Sequence, residues 1–180
     1  MPSARDPRPL TGEPLALDLL NTRWNSDGVI QDLLADTGGL AVWLAGNGLA
    51  GTHPADAAVL RHLRTAREAV KAAVDGSPRR AAPLVDAVLE HGRIRARLTA
   101  AGPAEEPEFA DPAWGPAWLA ARNYLDLLTR APERIRTCAG GGCVLYFFDT
   151  SRNGTRRWCS MAACGNRAKA SRHYARSKEG

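Results

Sequence analysis

Four cysteines stand in two matched pairs near the end of the chain. Cys138 and Cys143 enclose four residues, Cys159 and Cys164 enclose another four, and fifteen residues separate the pairs. Two pairs of soft thiolates suit a closed tetrahedral site, because a structural Zn2+ takes four ligands at about 2.3 Å and leaves no position for water. Zinc is therefore the expected cofactor, with Cys138, Cys143, Cys159 and Cys164 as its ligands; iron in four thiolates is the alternative metal. Disulfides are the other use of four cysteines and would permit three pairings. Met1 to Pro14 has no apolar core of signal-peptide length, so no oxidising compartment is indicated and a cytoplasmic location is expected. No Ser/His/Asp order, His-Glu-x-x-His or phosphate-binding glycine loop stands out. A metal closed by four sulfurs has no open position either, so the expectation is that the chain is not an enzyme.

The elements that must position these sulfurs can be read from the intervening residues. Ala139-Gly140-Gly141-Gly142 allows a sharp first turn, since glycine reaches positive φ without a Cβ clash. Val144 to Phe148 is aromatic and β-branched and reads as a strand. Asp149 to Thr155, with Asn153-Gly154 inside it, reads as a turn, after which Arg156-Arg157-Trp158 is expected to return antiparallel and deliver Cys159. Cys164-Gly165-Asn166 then opens a helical segment, Arg167 to Ser177, placing Cys164 at a helix N-terminus that favours a thiolate. The predicted unit is knuckle, β-hairpin, knuckle, helix, a zinc-ribbon or treble-clef-like finger.

These residues resemble the CGNR zinc-finger proteins of bacteria. The likeness rests on Arg136-x-Cys138, the spacing to Cys143, Phe148-Asp149-x-Ser151-Arg152-Asn153, Arg156 to Met161, and Cys164-Gly165-Asn166-Arg167-x-Lys169, and it covers about the last quarter of the chain. The front, mainly Leu17-Asp18-Leu19-Leu20-Asn21-Thr22, is similar to the domain called ABATE, described as a stress-induced transcription regulator. The resemblance implies a zinc-binding regulator that contacts nucleic acid.

Charge supports the same direction independently. From Arg134 onward ten basic residues face Asp149 and Glu179, a net of +8 within a chain of +5, which leaves −3 on residues 1–133. A Zn(Cys)4 centre brings about −2 of its own, so the tail stays near +6 and attracts polyanions. Lys169, Arg172 and Arg176 fall at i, i+3 and i+7, on one side of the expected helix, and Arg152, Arg156 and Arg157 extend that surface from the hairpin. DNA is the expected partner ahead of RNA. Arg136, Arg167 and Asn166 adjoin the knuckles and are candidates to hydrogen-bond the thiolates, a role open to Arg157 as well. Tyr146 and Trp158 are expected in the finger's core rather than stacked on bases. The same scaffold could instead serve as a protein-binding module, or less favourably as a thiol/zinc redox switch.

Before the finger, the chain reads as a mainly helical α+β domain with a small antiparallel sheet. The expected divisions are a flexible arm over residues 1–14, the α+β domain over 15–132, and the finger over 133–180, with a hinge at Ala131-Pro132. Leu15 to Thr22 reads as a buried strand, and Ile94 to Thr99, which alternates, is expected to pair with it. Helices are expected from Thr37 to Ala45, Pro54 to Val74, Ala81 to His91 (Leu84, Val85, Val88 and Leu89 inward) and Trp114 to Arg130. Arg61, Arg64, Arg67, Glu68 and Lys71 are read as one solvated face. Ala101 to Pro112, with three prolines, reads as a loop or flap. A small-molecule effector held between strands and helices, and a homodimer, are possible partners of this domain. No apolar run approaches membrane-spanning length.

Overall fold

The computed structural model describes residues 6–76 and 78–170. The front of the chain is a helical assembly: α1 (Leu15–Leu20), α2 (Thr37–Gly46), α3 (Ala57–Asp75), α4 (Pro78–Leu89) and α5 (Gly115–Arg130). Three two-stranded antiparallel sheets accompany it among the described residues: β1 (Arg23–Ser26) with β2 (Val29–Asp32), β3 (Gly92–Thr99) with β4 (Gly102–Phe109), and β5 (Ile135–Thr137) with β6 (Tyr146–Phe148). The α+β, mainly helical expectation holds. No described helix is long and apolar enough to cross a membrane.

α3 forms the spine because its apolar residues recur at helical spacing. Val59, Leu63, Ala66 and Val70 are fully buried, and Asp56 caps the first turn by accepting from the amides of Ala58 and Val59 at 2.9 Å each. Against it pack α1, α4 and α5, whose Leu17, Val88, Ala117, Ala121 and Leu127 close the core. Arg67 departs from the expected solvated face. It lies one helical turn from Leu63, on the buried side, is only 2 % exposed, and forks onto both Asp32 oxygens at 2.6 and 2.8 Å while Nη1 also reaches Thr22 Oγ1 at 2.8 Å. The pair holds β2 to α3.

Several expectations are corrected. Leu15 to Leu20 is a short helix started by Pro14, whose carbonyl accepts from Leu17 and Asp18, and not a strand. A short apolar run carries no period that separates the two. β3 therefore pairs with the expected loop, which is β4, with Pro103 opposite Leu98 and Pro107 opposite Ile94. Each strand of a two-stranded sheet keeps one open edge, where a missing N–H costs no ladder bond. Leu84, expected inward, is half exposed. Residues 6–14, expected within a flexible arm, are held down: Arg8 is buried and bonds Asp6 and the buried Asp18, the latter at 2.7 Å.

One glycine sets a close approach. The Gly39 amide is capped by Asp36 Oδ1 at 2.9 Å, and a Cβ at that position would overlap the Leu33 carbonyl of the preceding turn. Gly39→Ala is expected to cost about 2 kcal/mol of unfolding free energy in a urea titration, because backbone, not a flexible side chain, must move. A cost near zero would show that the turn has room to yield.

Candidate metal centre

The first knuckle is the turn of a hairpin. Cys138 follows β5 and Cys143 precedes Leu145 and β6, with Cys138 N–H donating to the Leu145 carbonyl at 2.9 Å and Cys143 N–H to that of Gly140 at 3.0 Å. β6 pairs with β5, in register Ile135↔Phe148, and not with residues 156–158 as expected. Those residues run instead beside the knuckle, joined by one backbone bond from Ala139 N–H to the Arg157 carbonyl at 2.9 Å. Gly142 takes φ +71°, and Gly140 sits where a Cβ would be 3.0 Å from both Cβ and Sγ of Cys164. Both positions need glycine for a geometric reason. The second knuckle is the turn Met161–Gly165, capped by Ser160, and it runs into helical residues 166–170.

The four sulfurs converge. All lie within 4.8 Å of one another, with Cys159 Sγ at 3.8 Å from Cys143 and 3.6 Å from Cys164. A tetrahedron with ligands at about 2.3 Å has edges near 3.8 Å, so the spacing is that of sulfurs around a common ion. It is too long for a disulfide, and all four cysteines are free. Donors supplement the cluster: Cys159 N–H lies 3.3 Å and Gly140 N–H 3.4 Å from Cys138 Sγ, and Arg167 Nη2 lies 3.1 Å from Cys164 Sγ.

Left to themselves, thiols this close oppose one another's ionisation. The hydrogen bond from Cys159 brings Cys143 down to about 5 against its burial, while that same bond and burial raise Cys159, and burial raises Cys138. One sulfur can ionise only by suppressing the next. A cation at the centre lifts that conflict, so the donor set fits a metal ion.

The flanking basic residues separate by role. Arg167 touches a ligand sulfur, and that contact raises its pKa. Arg136 reaches the Gly154 carbonyl at 3.3 Å, and Asn166 Nδ2 the Ala162 carbonyl at 3.4 Å, so neither bonds a sulfur. Arg156 is held inside the finger, with Nη2 on the Cys159 carbonyl and on Glu13 at 3.2 Å and its guanidinium 4.2 Å from the Phe147 ring centre. Arg157 lies over the Trp158 ring, and it, Arg152 and Lys169 are exposed. Arg172 and Arg176 lie outside the described residues. Tyr146 belongs to the main core and Trp158 packs on the finger's own cluster.

Contacts that the cysteine spacing could not show lock the finger to the helices. Asn21, fully buried, pairs with the Tyr146 backbone in both directions, accepting from its N–H at 2.8 Å and donating to its carbonyl at 2.9 Å. Glu13 accepts from Phe148 N–H at 2.9 Å, and Tyr146 Oη donates to Asp75 at 2.8 Å. Leu10 and Trp24 complete the finger's small core around Phe147 and Leu145. Ala131-Pro132 is thus no free hinge.

Residues 13–131 match the family described as ABATE, putative stress-induced transcription regulator. The chain belongs to the ABATE family. Its finger, residues 134–177, matches the CGNR zinc finger, so the ABATE domain is followed by the metal-binding module that the four sulfurs form. No curated protein matches the chain. Within the ABATE domain, the segment that carried the resemblance has defined work: Asp18 anchors Arg8, Asn21 anchors β6 of the finger, and Thr22 receives Arg67.

Proposed function

We propose that the chain is a zinc-binding transcription regulator whose CGNR finger contacts nucleic acid, duplex DNA in preference to RNA. Zinc is the metal that four thiolates at tetrahedral spacing with amide donors suit best. The observation that carries the nucleic-acid reading is the charge asymmetry, +8 from Arg134 onward against −3 on residues 1–133. In the front of the chain Arg8, Arg23, Arg67, Lys71, Arg93, Arg95, Arg97 and Arg122 pair with carboxylates, while Arg61, Arg79, Arg80 and Arg130 are exposed without one among the described residues. In the finger Arg136, Arg152, Arg157 and Lys169 have no carboxylate partner among the described residues, and all four are exposed. Cations left in water on a metal-fixed scaffold are free to replace counterions on phosphates.

Four protein ligands close the tetrahedron, so the chain acts by binding and not by catalysis, and a regulator of this kind works in the cytoplasm beside the genome. Replacing Arg152, Arg157 and Lys169 together by glutamine is expected to lower the slope of log affinity against log salt by about 2 to 3 on duplex DNA, near 0.9 for each lost phosphate contact. Structured RNA should compete more weakly than duplex. An unaltered salt slope would remove this face from the interface, and better competition by RNA would reverse the preference.

A further inference from the structure

We propose that the cleft where the ABATE domain meets the finger binds a small organic anion with an apolar body, a carboxylate carried on a ring or short alkyl chain. The cleft has a volume of about 460 Å3, within the range that small-molecule sites occupy. Leu20, Ile30 and Val144 give it apolar walls, and Arg23, Arg67, Lys71 and Asp75 give it charge. Two observations point to a ligand. Ile30 is 54 % and Val144 39 % exposed, so two of the large apolar side chains left in water line this one concavity. The second is the donor balance: Asp32, Glu68 and Asp75 offset the charges of Arg23, Arg67 and Lys71, yet Arg23 Nη2 and the buried Arg67 Nε have no hydrogen-bond partner among the described residues.

The one carboxylate of the lining, Asp75, is already engaged by Lys71 and by the Tyr146 hydroxyl. Asp32 and Glu68 satisfy Arg23 and Arg67 from outside the lining. Arg67 is clamped by Asp32 and Thr22 at the back of the site, with its charge offset by Asp32 and its Nε buried without a hydrogen-bond partner. Arg23 uses Nε on Asp32 and Nη1 on Glu68, which leaves Nη2 without a partner among the described residues. A planar anion can dock on Arg23 Nη2 and Lys71 while its body covers Ile30 and Val144. A cation has no free carboxylate to meet. One wall includes Thr137 of β5 and Cys143 of the first knuckle and another includes α3, so an occupant bridges the finger and the ABATE domain. Binding here goes beyond the nucleic-acid reading and does not require it.

The test is an NMR titration of the 15N-labelled, metal-loaded full chain with benzoate, and with benzamide as its neutral counterpart. Saturable amide shifts centred on Ile30, Lys71 and Val144 are expected, with a benzoate dissociation constant of about 1 mM or tighter and benzamide about tenfold weaker. Arg23→Met and Lys71→Met change side chains that are 42 % and 44 % exposed, so the fold should survive, as the unshifted core amides will report. Each should weaken benzoate about tenfold and leave benzamide unchanged. Ile30→Glu should abolish benzoate binding. The proposal is overturned if benzoate produces no saturable shifts up to about 10 mM, if shifts centre elsewhere, if benzamide binds equally well, or if the two methionine variants titrate like the parent. The experiment contains no nucleic acid, so a chain that binds benzoate and no DNA would overturn the proposed function alone.

Discussion

Stripping the metal with a chelator is expected to unravel the finger and also to loosen α1 and α5. Zinc-finger peptides owe on the order of 10 kcal/mol of folding free energy to their metal, and the described finger has only a small core of its own around Phe147. Its strand β6 also reaches outward: Tyr146 and Phe148 are buried in the same core as Leu17, Ala121 and Leu127. Withdrawing two such aromatics costs about 3 kcal/mol each. At roughly 2 to 4 °C per kcal/mol for a chain of this size, the thermal midpoint should fall by about 12 to 24 °C. Hydrogen exchange should show lost protection in β5 and β6 first, then in α1 and the facing turns of α5. Cys164→Ser should reproduce the effect, since a hydroxyl is a poor partner for a soft ion. If metal content drops to zero while protection in both regions stays unchanged, the sulfurs are not holding the finger together.

This outcome differs from that of a finger on a hinge, and the difference shows where sequence reading reaches its limit. The metal centre was legible because thiolate spacing is local chemistry: Cys138-x4-Cys143 and Cys159-x4-Cys164 need only two tight turns to bring four sulfurs within 4.8 Å. The α3 helix was legible because nineteen residues sustain one period. Pairing is a long-range matter. β6 pairs with the segment before Cys138 and not with the one after Thr155; both are short and basic, and composition does not distinguish them. Arg156 and Arg152 look alike in sequence, yet one is folded onto Phe147 and Glu13 while the other remains in solvent. Arg67 did carry a signal, four residues after Leu63 on the apolar stripe, but a cation on that stripe becomes intelligible only when Asp32 is seen opposite it. Asn21 stood within the stretch that carried the ABATE resemblance, and its partner lies 125 residues away.

Asn21 is where the second large effect is expected. Its carboxamide presents one donor and one acceptor in the order that a neighbouring β-strand would, and Tyr146 answers with its own N–H and carbonyl. That backbone edge of β6 faces α1, whose spare main-chain groups are used elsewhere: Ala16 N–H donates to Asn123 Oδ1 and the Asp18 carbonyl accepts from Arg8, each at 3.0 Å. Asn21→Ala would leave a buried N–H and a buried carbonyl without partners, at about 1 to 3 kcal/mol for each. A total loss near 3 kcal/mol is expected in denaturant titration of the metal-loaded chain. Asn21→Asp, the same shape, keeps an acceptor for the Tyr146 N–H but sets an oxygen against the Tyr146 carbonyl, so it should be no better than alanine near neutral pH. Asn21→Leu, which fills the volume but restores neither bond, should fall in the same range. That ordering separates a hydrogen-bonding role from simple packing: if leucine restores full stability, or aspartate matches the parent, the carboxamide is filling space and the finger is held to the helices by Tyr146, Phe148 and Glu13 instead.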